Sequence, residues 1–583
     1  MKVTHFIAAL WLLKGSLVLG HEDMDMEHDA APAVPAAGMD AAMPSMTASP
    51  ASIHSSHHHG RLILNNPDLE PQQRAYWEKY NTTNFFNSDQ GSKVALYSHA
   101  ILAFVAFGLL TPMAILLSMD STCSWLYLPL QTLTSLMAVG SFFFLAMYSA
   151  TAPALYPGSI YGGFTFLMLL LVITHWTALA VKSVARYLGA MGPVEGADYM
   201  LANMQRPSSD SGHQVSDDGF DDDLVLEDPE AFAPQRSRTS PLVSKMARNS
   251  VVHRIASSFG KLASVIFAAL NIPIFFLGFA YLFVGLVTGE CMGKGHMIFG
   301  LLAHLIKGFV FFLLGFVELA RYCGFLSAHG MAWNRRDEDI YPAKSRVVPE
   351  PVPQRTSFLG RFKFWPSEPT MEYIQSLCIF IYGITNVFLE HLGNEDGVWS
   401  HKDIQHASIA FMFIGGGLSG LVMESEFVRK SIAAGFGVEL GKRSYYSFNP
   451  MPAFTVFWTG ALMSRHEQET PLSTEIHIQW GSLLSLAAVI RLCTYLMLYL
   501  RPIPEDSQPQ KPFTEILVSF CLVCGGLIFM SSNRETVEAM IYRGIDSMFT
   551  LNVSVGISAL LISYAVFAYA VRGLAIRRSK PAY

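Results

Sequence analysis

The sequence predicts an all-α fold, a polytopic bundle of about eleven transmembrane helices with a disordered N-terminal tail and a disordered acidic loop. Three observations predict it. Half of the 583 residues are hydrophobic and only 15% are charged, where a soluble globular chain carries nearer a quarter. The apolar residues fall in runs of about 20, the length that crosses a hydrocarbon core. Basic residues collect in alternate connections between those runs. The net charge of −6 combines an acidic tract with basic loops, and no nucleic-acid partner is expected. Seven cysteines lie scattered in mostly apolar surroundings, which gives no disulfide framework. Cys521 and Cys524, one helical turn apart in an apolar run, read as packed small hydrophobes rather than a redox pair.

Residues 1–20 read as a signal peptide: Lys2 is basic, an apolar core follows, and Val18-Leu19-Gly20 offers compact residues for cleavage. An extracytoplasmic tail spans 21–93. Its first part is rich in Ala, Pro, Ser, Met and His, including His21, Met24, Met26, His28 and the run His57, His58, His59. Thioether and imidazole together suit copper capture, and the segment resembles the Met- and His-rich ectodomains of copper importers; a plain stalk is the other reading. Asn81-Thr82-Thr83 is a glycosylation sequon. Apolar spans are expected near 94–117, 125–149, 160–182, 262–288, 297–320, 372–390, 404–424, 445–464, 478–500, 513–531 and 548–571. The span near 445–464 is the weakest, because it contains Pro450 and Pro452.

The positive-inside rule places the N-terminus outside and the C-terminus in the cytosol, in a secretory-pathway or plasma membrane. A first transmembrane half, 94–325, contains the loop 186–260, with Asp217, Asp218 and Asp221–Asp223 in an acidic run expected to stay unfolded. Within 236–241, Thr239 follows Arg236 by three residues and precedes Pro241 by two. Phosphorylated, it resembles a docking motif for a 14-3-3-type adaptor; an unmodified linker is the alternative. A cytosolic linker, 326–371, leads to the second transmembrane half, 372–583.

The candidate site is organised around residues 388–425. Glu390 and His391 end one span, and His401 and His406 begin the next, which carries Gly415, Gly416, Gly417 and Gly420. Small residues let membrane helices approach closely, and imidazoles with carboxylates are ligands for zinc, copper or iron. His466 and Glu467 end a third span, His477 begins a fourth, and His304 lies about two turns inside a fifth. All these ends share one face, so we expect an outward-facing cavity lined by His391, His401, His406 and His477. His304 would form its floor, with Glu390 or Glu467 at its rim; a hydrogen-bonded cluster without metal is the rival. His304, Lys307 and Glu318 fall along one helical stripe. Arg491, deep in its apolar run, needs an ion partner, either Glu424 or Glu318.

Two resemblances add to this reading. The segment Ser98-His99-Ala100-Ile101-Leu102, Leu110-Thr111-Pro112-Met113 and Val252-His253-Arg254 resemble the ascorbate-reducible b-type transmembrane cytochromes over roughly residues 92–290. That resemblance implies haem b between paired histidines. Leu128, Pro129 and Leu130 stand near the family's second histidine position, so the substitute ligand set is His99, His175, His253 and His304. Taken whole, the chain resembles the fungal Ytp-one family of multi-pass membrane proteins. The Glu390-His391…His401…His406 stretch carries this, with the His99 segment, the split layout and His477-Ile478-Gln479-Trp480-Gly481 running into Arg491. The family supplies a layout and no mechanism.

The expected function is handling of a transition metal, or of coupled protons, at the outward-facing site. A haem-containing metalloreductase-like protein is the alternative, and a membrane scaffold without catalytic activity the third. An enzyme is the less expected outcome. Membrane lipid and a metal ion are the expected partners.

Overall fold

The computed structural model describes residues 62–67, 69–119, 124–190, 245, 248–325, 331–333, 369–391, 399, 401–437, 448–466, 468–502 and 512–579, and every regular element among them is helical. The signal peptide, the Met- and His-rich stretch, the acidic run, Thr239 and most of the 326–371 linker lie outside these residues. In chain order the helices are α1 (Pro71–Lys79), α2 (Lys93–Ala103), α3 (Thr111–Ser118), α4 (Ser124–Ser149), α5 (Tyr161–Ala190), α6 (Ser250–Leu270), α7 (Pro273–Gly289) and α8 (Met297–Tyr322). They continue with α9 (Met371–His391), α10 (His401–Glu424), α11 (Glu426–Phe436), α12 (Met451–Met463), α13 (Pro471–Leu500), α14 (Thr514–Ser531), α15 (Arg534–Arg543) and α16 (Ser547–Ser579).

Helices are the required solution, because hydrocarbon offers no partner for an unpaired backbone group. Among the described residues nine helices have the length and hydropathy to cross a membrane, while α7 and α12 are apolar but shorter. Proline accounts for both departures from the expected spans. The run near 262–288 is divided between α6 and α7 at Asn271–Ile272, because Pro273 has no N–H to continue the ladder. The run near 445–464 shrinks to the 13 residues of α12, which begins after Pro450. That is about 20 Å of helix. Pro112 acts similarly between α2 and α3. There a π-helical turn, Phe104–Leu110, takes up the break, and Thr111 Oγ1 donates to the Ala106 carbonyl at 2.8 Å.

The chain divides into two compact units. Of the described residues the first holds 84–291 and 568–579, and the second holds 62–83 and 292–567. In the first unit, α5 runs antiparallel along α6 and α7: Gly260 meets Ala185 at one end and Gly285 meets Tyr161 at the other. Its core includes Leu117, Tyr127, Leu128, Val184 and Phe267.

The second unit corrects the sequence-based division at residue 325. α8 belongs here, not with the preceding helices, because it lies directly against α14. A Cβ on Gly308 would stand 2.8 Å from the Gly526 carbonyl oxygen, and one on Gly315 would stand 2.9 Å from that of Ser519. Only glycine allows backbones so close. α9 and α10 pair in the same way through Gly417, where a Cβ would lie 2.5 Å from the Phe380 backbone nitrogen. Of the other glycines in that stretch, Gly416 faces Thr455 and Gly420 faces Ser376, while Gly415 faces open space.

Residues 62–83, the part of the extracytoplasmic tail that follows its low-complexity stretch, are folded onto α15. Trp77 is fully buried, with Tyr80 and Tyr542 against it at ring-centroid distances of 5.3 and 6.2 Å. Arg74 ties the segment to itself by donating to the Leu64 and Asn66 carbonyls.

Candidate functional site

The second unit holds a network of five charged side chains in its interior. Glu318 and Arg321 stand one turn apart near the end of α8, Glu372 and Glu515 in the first turns of α9 and α14, and Arg491 inside α13. Local physics favours several of these placements: carboxylates suit the positive N-terminal end of a helix and guanidinium the negative C-terminal end. All five are buried, none more than 5% exposed.

Arg491 is the centre. Its Nη2 lies 2.8 Å from Glu318 Oε2 and 2.8 Å from Glu515 Oε2, and its Nε donates to Glu515 Oε1 at 3.0 Å. Arg321 bridges outward, with Nη1 at 3.0 Å from Glu318 Oε2 and Nη2 at 3.2 Å from Glu372 Oε1. Gln375 donates to Glu318, and the Tyr495 hydroxyl donates to Glu372 at 3.4 Å. Three carboxylates therefore share two guanidinium groups, which leaves one negative charge in excess when all are ionised. Such groups lose hydration worth several kcal/mol per ion, recovered only where geometry is good and remaining polar atoms are satisfied.

A short stretch covers the guanidinium groups. The Arg321 Nε donates to the Met331 carbonyl at 2.9 Å, and the Arg321 guanidinium lies 3.9 Å from the Trp333 ring centroid. Arg491 lies 5.3 Å from the same ring. Planar, weakly hydrated guanidinium stacks well on indole. Trp333 is 1% exposed and packs with Tyr495 and Leu498.

The histidines expected around one cavity are placed as follows. His304 and His477 meet, with ring centroids 6.2 Å apart and rings nearly perpendicular. Each directs Nδ1 at a carbonyl four residues back, His304 to Gly300 at 2.8 Å and His477 to Ser473 at 2.7 Å. A carbonyl only accepts, so each Nδ1 carries a proton; in the neutral ring Nε2 then holds the lone pair, the tautomer arrangement of metal-ligating imidazoles. His466 lines a separate cleft of about 140 Å³ with Gln405, Ser408, Ile409, Leu462 and Met463. Glu390 and His391 end α9, and His401 and His406 lie in the first turns of α10, but their side chains lie outside the described residues, as does Glu467. Among the described residues no three His, Cys, Asp or Glu side chains come together as a metal site.

The histidines of the haem reading are engaged otherwise. His99 donates from Nδ1 to the Ser141 carbonyl at 3.0 Å and accepts at Nε2 from the Tyr161 hydroxyl at 2.8 Å. His175 accepts at Nδ1 from Gln131 at 3.4 Å and donates from Nε2 to Asn271 at 3.2 Å. A haem iron would have to displace one partner of each. His253 is exposed near the start of α6. Asn81 is exposed, with its side-chain oxygen accepting from the Thr83 N–H at 2.9 Å.

Of the two carboxylates considered for Arg491, Glu318 is in contact and Glu424 is buried at the end of α10. Sequence reasoning missed Arg321, Glu372, Glu515, Gln375 and Trp333. The i, i+3 spacing of Glu318 and Arg321 was an available signal. Glu372 and Glu515 gave none, since an acid opening an apolar helix is ordinary.

Fold and site together define an all-helical, polytopic membrane protein with an ion network inside its helices. The chain belongs to the YTP1-like family: residues 277–573 match the model described as Protein YTP1-like, C-terminal. Residues 79–185 match a domain of unknown function, DUF2427. A Saccharomyces cerevisiae protein named Uncharacterized membrane protein YCR061W is 36% identical over 595 residues, covering 91% of each chain. The Schizosaccharomyces pombe protein named Uncharacterized membrane protein C3B8.06 is 33% identical over 517 residues, 83% of this chain and 94% of its own. Protein YTP1 of Saccharomyces cerevisiae is 27% identical over 179 residues, 30% of this chain and 34% of its own. No solved structure matches.

Proposed function

We propose that the second unit is a proton-coupled carrier of transition-metal ions. The observation that supports it is the buried network, in which Glu318, Glu372 and Glu515 outnumber Arg321 and Arg491 inside apolar helices. One bound proton makes that network neutral, and ionisable groups within membrane helices mark ion and proton pathways. The metal is cargo in this reading. His304 and His477 offer two imidazoles with Nε2 lone pairs, donors suited to copper or zinc. Residues 62–83, which continue from the Met- and His-rich stretch, belong to the same unit. With the N-terminus extracytoplasmic, as the positive-inside rule directs, the imidazole pair faces outward and the network lies toward the cytosol.

The test is purified full-length protein in sealed vesicles carrying a pH-sensitive dye, challenged with copper(I), zinc(II) or iron(II). Proton movement driven by one of these metals is expected, with loss in Glu515→Gln and reduction in His304→Ala/His477→Ala. Folded protein that moves no protons with any of the three metals would sink the proposal.

A further inference from the structure

α11 is built unlike the other helices of its unit. It begins two residues after α10, a candidate membrane span that ends at Glu424. Ser425 turns the chain with an extended backbone (φ −66°, ψ 120°), and Gly437 ends the helix in the left-handed region at φ 64°. No residue of α11 is buried. Phe427, Ile432 and Phe436 are 50, 56 and 81% exposed.

The side chains are sorted. Val428, Ile432 and Phe436 recur every four residues and form one stripe, while Phe427 lies apart from it, nearer to Lys430 around the helix. Glu426 and Lys430 lie on the far side, and Arg429 borders the two faces. The Lys430–Glu426 pair spans 3.5 Å with 71% of the lysine side chain exposed, so it holds the ammonium weakly and leaves it open to another anion. A helix starting at the end of a membrane span sits at bilayer-surface depth. There an uncovered apolar stripe meets acyl chains, while the basic residues meet headgroups.

We propose that α11 lies in the plane of the bilayer surface and binds anionic phospholipid headgroups through Arg429 and Lys430, with Ile432 and Phe436 sunk into the acyl boundary. The choice of lipid rests on continuity with α10 and on two basic residues of a helix with an apolar stripe, Arg429 beside the stripe and Lys430 on the polar face. It is independent of any metal or proton carried by the bundle.

The experiment is amide hydrogen exchange on the full chain in lipid nanodiscs of phosphatidylcholine, alone or with phosphatidylserine. Residues 426–436 are expected to exchange about thirtyfold more slowly in the anionic discs, the scale set by two basic groups near a charged surface. Arg429→Ser/Lys430→Ser should remove the difference between disc types, and Ile432→Ser/Phe436→Ser should remove protection in both. Unchanged exchange elsewhere in the unit shows that these variants fold. Equal exchange in the two disc types would overturn headgroup recognition. Protection that appears only with added cytosolic extract would overturn the lipid as the occupant in favour of a protein.

Discussion

Replacing Arg491 with Gln removes the group that holds Glu318 and Glu515 together. Glu515 then loses both of its contacts with the guanidinium, at 3.0 and 2.8 Å, while Glu318 keeps Arg321 at 3.0 Å. The damage therefore falls on Glu515, a carboxylate with no exposed surface. Breaking a buried pair from one side costs about 3–5 kcal/mol, because an uncompensated charge stays behind. At roughly 2 °C per kcal/mol for a body of more than 150 residues, Arg491→Gln should melt roughly 6–10 °C lower. Removing both partners is different. Arg491→Gln/Glu515→Gln leaves no orphan charge and should recover at least half of the loss, since removing both charges of a buried pair is often close to neutral. Scanning fluorimetry on purified protein reads this directly, and Trp333, 5.3 Å from the guanidinium, is a local reporter. A single variant melting within about 2 °C of the parent, or a double variant no better than the single, would refute the buried, charge-paired network.

Three further outcomes are expected. Gly417→Leu should abolish detergent-stable, monodisperse protein in size-exclusion chromatography, because its side chain meets the Phe380 backbone, whereas Gly415→Leu, facing open space, should be tolerated. Trp77→Ala should release residues 62–83 from α15 and expose them to limited proteolysis, since emptying a buried aromatic site costs about 3–5 kcal/mol. Burial raises the Glu535 carboxyl above its ordinary value of 4.5, although the Gly293 N–H donates to it at 2.8 Å. The folded state then holds that proton more tightly than the unfolded state. The stability it contributes is present below pH 4.5 and is lost as pH rises through the folded value. Glu535→Gln should flatten the melting-temperature profile in that window and raise it at neutral pH.

The helical membrane fold was legible because the length of an apolar run is a strong physical signal, and Pro450 and Pro452 marked the weakest run; the break at Pro273 escapes that reading, in which 262–288 is one span. Helix pairing was not. Gly308 and Gly315 on α8 and Gly526 on α14 look in sequence like any small residues, yet their contact moves α8 out of the preceding half. Arg491 was visible as an isolated cation in an apolar run. Its choice between Glu318 and Glu424 depended on which helices are neighbours, and that information is not local. Trp77 sits in a polar stretch, so the folding of residues 62–83 gave no periodic signal. The histidines were legible only as residues sharing one end of their helices. The structure brings His304 and His477 together, and His466 lines a cleft with Gln405 and Leu462.

His304 and Glu318 lie on the same helix, 14 residues apart, which is about 21 Å along its axis. Between them the second unit is closed by apolar packing. Trp480 stacks on Phe529 at 4.0 Å and 3°, and Ile476, Leu484, Cys524 and Ile528 fill the surrounding core. An ion passing between the imidazole pair and the charge network must open this section. Separating α8 from α14 would break the hydrogen bond that Ser519 Oγ donates to the Gly315 carbonyl at 2.7 Å and the Phe311–Phe529 stack at 6.2 Å. Separating α13 from α14 would instead break the Trp480–Phe529 stack and the Arg491–Glu515 pair together. A carrier of the kind proposed therefore has to break side-chain contacts whichever helix moves, because α8 also holds α13 through the Arg491–Glu318 pair at 2.8 Å.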